Sequence, residues 1–177
     1  MKIAVIDDWQ NNARSFADWS RVEASHQLDF YADHLTGAAL IERLAPYDIL
    51  CVMRERTLFS EDVIAQLPAL KAVITSGMRN AGLDLAAFSA RNIPVSGTES
   101  PGHATAELAM IFIGMLARQT VANANSMSGI GWQVATGRDL RGATLGILGL
   151  GRLGSQLAEM AKVFGMDVQA WSQNLTA

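Results

Sequence analysis

The sequence predicts a doubly wound α/β protein. Two observations carry that prediction. Short, continuously apolar runs alternate with helical stretches through the first hundred residues, and a new strand–glycine–helix unit opens after residue 143. Unbroken apolar runs, as opposed to alternating ones, belong to parallel strands covered on both faces. Composition agrees, since 177 residues that are 50% hydrophobic and 18% charged supply an ordinary globular core. The length suits one domain or two small ones.

Taken in order, residues 3–6 read as a first strand, with helical material over 11–19. Residues 28–31 are a second strand, and 36–44 a helix that Thr36 caps and Pro46 ends. Residues 49–53 form a third strand, with the lone Cys51 as a buried thiol. The helix over 60–67 has Ser60 as N-cap, with Glu61 and Asp62 in its first turn, where the positive helix end favours acids. A strand at 72–75, a helix at 84–90 and a short strand at 94–95 complete a domain over residues 1–98.

Thr98-Glu99-Ser100-Pro101-Gly102-His103 is a turn-rich joint to the second domain, 99–177. From 104 to about 126 runs one long helix, whose middle, 108–117, is apolar all round. Such a helix is expected to be buried on several sides, between domains or between subunits. Ser128-Gly129-Ile130-Gly131-Trp132 breaks it. A strand at 144–148, a helix at 153–164 ended by Gly165 in a left-handed cap, and a strand at 168–171 follow. A parallel sheet of so few strands leaves apolar faces uncovered, which predicts marginal stability for the chain alone.

Several classes are excluded. The net charge of −3 and the lack of a Lys/Arg run argue against nucleic acid. The longest apolar stretch, ten residues, is half of what a membrane span needs, roughly 20. One cysteine and no leader-like N-terminus predict a soluble, cytoplasmic protein. No His/Cys cluster has metal-ligand spacing and no nucleophile elbow occurs.

The sharpest motif is Gly149-Leu150-Gly151-Arg152-Leu153-Gly154, entered from a strand and leaving into a helix. In this context each glycine has a mechanical task. Gly149 allows the tight turn, Gly151 lets backbone approach a pyrophosphate, and Gly154 lets helix and strand pack closely. The free N–H groups and positive end of the helix then hold phosphates. The acid expected about 20 residues on, at the ribose, is replaced by Ser172, followed by Gln173 and Asn174. Either NAD or NADP therefore remains open as the cofactor.

The motif order resembles the D-isomer-specific 2-hydroxyacid dehydrogenase family. Three blocks carry the likeness: Thr75-Ser76-Gly77-Met78-Arg79-Asn80-Ala81-Gly82-Leu83-Asp84; Ala104-Thr105-Ala106-Glu107-Leu108; and residues 131–154 through the glycine motif. The resemblance implies a flavodoxin-like substrate domain, a long interdomain helix and the first β-α-β of a Rossmann domain. It implies reversible reduction of a small 2-keto acid to the D-2-hydroxy acid with NAD(P)H. It also implies a homodimer joined through the 104–132 region. In site terms, it places the backbone N–H groups of Ser76, Gly77 and Met78 at the substrate carboxylate, Gly149, Gly151, Arg152, Leu153 and Gly154 at the pyrophosphate, and Gly102 and Thr105 near the nicotinamide. The family's catalytic Arg, Glu and His fall in later motifs that are not in this sequence, so the reading is of a truncated chain with no catalytic residue of its own. A non-catalytic, dimerising, corepressor-like dinucleotide-binding module is the alternative.

Other residues have plainer readings. Arg54 follows the third strand and can attract a carboxylate with its fork or pair with a neighbouring acid. Asp7 and Asp8 follow the first strand and read as a hydrated strand–helix turn. His103 is read as a solvated or capping residue, His26 and His34 carry no assigned role, and Trp132 and Trp171 are read as packing residues.

Overall fold

The computed structural model describes residues 1–100 and 102–173, so Pro101 of the joint and Asn174 after Ser172 lie outside the described residues. The chain divides into two compact units, Met1–Ser100 and Pro101–Ala177.

In the first unit, β1 (Lys2–Val5), β2 (Gln27–Phe30), β3 (Ile49–Val52), β4 (Ala72–Thr75) and β5 (Val95–Gly97) form one parallel sheet in the order β2-β1-β3-β4-β5. Ile3 stands opposite Leu28 on one side and Ile49 on the other, which fixes the register of β1 between β2 and β3. Successive side chains point to opposite faces. Ala4 and Ile6 therefore enter one core with Leu50, Val52 and Val73, while Ile3 and Val5 enter another with Leu28. The first core is closed by α2 (Gly37–Leu44), α3 (Glu61–Ala65) and α4 (Leu85–Ala90) through Leu40, Leu44, Ile64 and Phe88. The second is closed by Trp19 and by Val22 of α1 (Ser20–Glu23). Burial of both faces explains why β1, β3 and β4 are apolar over most of their length.

Several local expectations are corrected. Residues 11–19 form no single helix, only a 3-10 turn at Ala13–Phe16 before α1. The cause is Asp8, whose carboxylate accepts the N–H groups of Asn12 (3.1 Å) and Ala13 (3.0 Å) and so closes a tight turn. Thr36 and Ser60 stand at helix starts in extended backbone, but neither hydroxyl makes a cap bond. Asp84 does cap α4, accepting from the Ala87 N–H at 3.0 Å. Cys51 is half-buried, and desolvation pushes its thiol up to about 11.

The second unit contains α5 (His103–Ala117), α6 (Thr120–Ser128), β6 (Thr144–Leu148), α7 (Arg152–Val163) and β7 (Asp167–Trp171). β6 and β7 pair in parallel, from Thr144 opposite Asp167 to Leu148 opposite Trp171. Met110 of α5, Ala161 of α7 and Met166 form the core, with Ile113, Leu145 and Leu157 against it. α7 ends in a Schellman arrangement: the N–H of Gly165 donates to the Lys162 carbonyl and that of Met166 to Ala161, with Gly165 at φ 73°.

The expected long helix is two helices. Gln119 sits in the left-handed region at φ 54°, and the Ala117 carbonyl accepts the Arg138 N–H (2.8 Å). Gly137 lies so close to Ala117 and Arg118 that a Cβ would overlap their backbone. A returning loop thus takes up a helix-end carbonyl, and the Asn123 side chain holds it by accepting the N–H groups of Val134 and Ala135 (both 3.0 Å). Within this chain alone, α5 is buried along one face. Ala106, Met110 and Ala117 are buried, while Leu108, Ile111, Phe112 and Leu116 are exposed. Trp132 and Trp171, expected to pack, are 76% and 64% exposed. Among the described residues, no helix is long and apolar enough to cross a membrane.

Candidate functional site

The glycine turn lies between the end of β6 and the start of α7. Gly149 adopts φ 98°, which a side chain strongly disfavours, and its N–H donates to the Trp171 carbonyl at 2.7 Å. A Cβ on Gly154 would overlap the Gly149 carbonyl oxygen and lie 3.3 Å from Ile147 Cγ2, so helix and strand pack at a distance only glycine permits. Gly151, by contrast, has nothing within 4 Å of where a Cβ would be. The space in front of it is open, while α7 begins at Arg152 and presents the first-turn N–H groups of Arg152, Leu153 and Gly154. A cramped rear and an open front beside a helix N-terminus form the shape and charge that fit a pyrophosphate.

Of the other sequence-predicted residues, Gly102 and Ser172 gather here. Gly102, at φ 75°, precedes α5, and a Cβ on it would come within 2.8 Å of the Arg152 guanidinium. Arg152 and Gly102 are thus in contact. Thr105 is exposed in the first turn of α5. Ser172 directly follows Trp171, the residue bonded to Gly149, and so stands at the end of β7 beside the turn.

The second group of predicted residues lies in the first unit, past the carboxyl ends of β3 and β4. The Arg54 side chain covers Gly77, for a Cβ there would lie 2.7 Å from Arg54 Nη1. The Arg54 N–H donates to Ser76 Oγ at 3.3 Å. The ion-pair reading of Arg54 has its neighbouring acid, since the Arg54 Nε lies 3.9 Å from the Glu55 carboxylate. Two of the three loop amides have partners within the chain. The Ser76 N–H donates to the Val52 carbonyl (3.1 Å) and the Gly77 N–H to Thr98 Oγ1 (2.9 Å). Of the three, only the amide of Met78, a residue 70% exposed, takes no partner among the described residues.

Sequence reasoning missed what holds this loop. Gly97 has no room for a side chain, since a Cβ would lie 2.7 Å from the Gly77 carbonyl oxygen. Thr98 and Asn80 bind the loop directly. The reading of Asp7 and Asp8 as hydrated is overturned, because they are 1% and 3% exposed. Asp7 accepts from Thr57 Oγ1 (2.6 Å) and lies 2.9 Å from His34 Nδ1, so the histidine given no role has a buried partner. Arg56 donates to the Asp7 carbonyl and stacks 4.3 Å above the Trp9 ring. None of these pairings is local in sequence, and no spacing rule announces them. His103 opens α5 and is exposed. Among the described residues, no group of three acids, histidines or cysteines is arranged to hold a metal.

Comparison with known proteins places this geometry. Residues 110–177 match the family model described as D-isomer specific 2-hydroxyacid dehydrogenase, NAD binding domain. The chain is 36% identical to the D-3-phosphoglycerate dehydrogenase of Haemophilus influenzae over 144 residues, 80% of this chain and 35% of that protein. It spans less than half the length of the curated relatives it matches. Phosphoglycerate oxidoreductase from Vibrio cholerae has the same fold, with a TM-score of 0.91 at 32% identity over 98% of this chain and 56% of that one. The NAD-dependent formate dehydrogenase of Staphylococcus aureus, solved in complex with NAD, matches with a TM-score of 0.74 at 25% identity over 98% and 57%. The turn at Gly149–Gly154 accordingly lies in a segment, residues 110–177, that belongs to the NAD binding domain of the D-isomer specific 2-hydroxyacid dehydrogenase family.

Proposed function

We propose that this chain takes part in hydride transfer between NAD(P)H and a small 2-keto or 2-hydroxy acid. The observation that carries the proposal is the turn at Gly149–Gly154, closed behind Gly154 and open before Gly151. The first-turn N–H groups of α7 hold the pyrophosphate, and Arg152 and Gly102 flank it on the way to the nicotinamide end. Ser172 offers a hydroxyl to the ribose with no carboxylate to repel a 2′-phosphate, so both NAD and NADP are accommodated. The nicotinamide, when bound, supplies or accepts the hydride. The protein's share is to hold the two reactants in line. In that share Arg54 and the Met78 N–H take the acid's carboxylate, while Ser76 and Gly77 shape the loop through their bonds to β3 and Thr98.

The exposed apolar side chains of α5 and α6, among them Leu108, Ile111, Phe112 and Leu116, support a homodimer formed through the 104–132 region. Light scattering reads its mass directly.

The test of the transfer is cofactor turnover by the protein made from its own gene. NADH and NADPH are offered with a panel of 2-keto acids, and cofactor absorbance is followed. Oxidation that depends on the acid and yields the D-hydroxy acid is the expected result. Cofactor binding without turnover of any acid would refute the transfer.

A further inference from the structure

We infer that Asn80 is a positioning residue for the carboxylate site, holding the Arg54 guanidinium over Gly77. The inference rests on the reading of Arg54 and the 76–78 loop given above. Asn80 is half-buried and its amide makes three bonds. Oδ1 accepts from the Glu55 N–H (3.1 Å) and the Gly82 N–H (2.9 Å), and Nδ2 donates to Thr75 Oγ1 (2.9 Å). Two of these partners adjoin the groups that meet the acid: Glu55 directly follows Arg54, and Thr75 directly precedes Ser76. One side chain therefore sets the spacing between the loop after β3 and the loop after β4.

The backbone shows why a clamp is needed. Glu55 has φ 50°, a left-handed conformation that a residue with a side chain adopts only when its surroundings hold it there. Asn80 holds its N–H, and the Ala81 N–H donates to its carboxylate at 3.2 Å. The two loops are pressed together, for a Cβ on Gly82 would lie 2.8 Å from the Thr57 carbonyl oxygen. The turn at Glu55 aims Arg54 back across Gly77. A fork fixed before binding loses less freedom when it takes a carboxylate.

The test is a double-mutant cycle on the full chain. Oxamate, an unreduced analogue of a 2-keto acid, is titrated with NAD present while the amide resonances of Gly77 and Met78 are followed. Asn80→Ala and Arg54→Ala should each weaken oxamate about tenfold, and the double variant should be no more than about twofold weaker than Arg54→Ala. Asn80→Asp keeps the accepting oxygen and should lose less than Asn80→Ala. It carries the cycle if the alanine variant loses the spectrum of the sheet. Additive losses, or unchanged oxamate affinity in the Asn80 variants, would overturn the positioning role. No saturable shift at Gly77 and Met78 in the unsubstituted chain would instead overturn the carboxylate-site reading itself, and the inference with it.

Discussion

Replacing Gly154 with alanine should loosen dinucleotide binding and, to a somewhat smaller degree, the fold. The added Cβ would overlap the Gly149 carbonyl oxygen and lie 3.2 Å from its carbon and 3.3 Å from Ile147 Cγ2. Carbon atoms pack best at about 3.5–4.0 Å, so the start of α7 must retreat by roughly half an ångström, and further to clear the oxygen. Overpacking of this kind costs about 1–3 kcal/mol. Alanine's helix preference returns at most about 1 kcal/mol, and less in a first turn. The net loss of stability is therefore small, about 1–2 kcal/mol. Binding suffers more, because the retreat moves the first-turn N–H groups away from the Gly149 turn. A loss of roughly ten- to a hundredfold in cofactor affinity follows, about 1.4–2.8 kcal/mol. NADH fluorescence titration and thermal melting of the same samples separate the two effects. Two neighbours supply contrast, since at Gly146 and at Gly151 a Cβ would meet no atom within 4 Å. Gly146→Ala should leave cofactor affinity unchanged, and Gly151→Ala should lower affinity without lowering the melting temperature. Gly154→Ala binding NADH as tightly as the unsubstituted protein would refute the reasoning.

Three further outcomes are expected. Phe88→Ala, at a side chain with no exposure, should cost about 3–5 kcal/mol in urea unfolding of the first unit. Asp48→Asn should destabilise the protein near neutral pH. The Asp48 carboxyl is held below its ordinary 3.8 by Lys71, 2.5 Å away, and by the Lys2 N–H at 2.7 Å. A depressed carboxyl stabilises the fold above its unfolded value and stops doing so as pH falls through its folded one, so the difference between the two proteins should vanish in acid. For Cys51 the sign is opposite: a thiol raised from 9.0 to about 11 stabilises the fold below 9.0 and loses that contribution between those values. Its alkylation by iodoacetamide should be slow at neutral pH and accelerate up to about pH 11.

Legibility in the sequence followed the range of the forces involved. The strands of the first unit were readable because packing on both faces makes Ile3, Ala4, Val5 and Ile6 apolar without interruption. The turn at Gly149–Gly154 was readable because sterics alone demand glycine at Gly149 and Gly154. The division of the long helix was not, since its cause is a bond from Arg138, far along the chain, to Ala117. The apolar surround of α5 was visible, but composition does not say whether the groups that cover Leu108 or Phe112 belong to the same unit. At the candidate carboxylate site Arg54 and residues 76–78 could be named in advance. Their anchors could not, because Asn80, Gly97 and Thr98 act through pairings across β3, β4 and β5. Asp7 misled for a similar reason: an acid after a strand is usually wet, and its burial depends on Thr57 and His34 arriving from other loops.

The central claim is that the turn after β6 is built to hold a dinucleotide. Titration of the labelled chain with NAD, followed through its backbone amide resonances, tests it directly. The account predicts saturable shifts at Gly149, Gly151, Arg152, Leu153 and Gly154, with the amides of β1 to β5 unmoved. A folded chain whose Gly149–Gly154 amides stay in place at saturating NAD would contradict it.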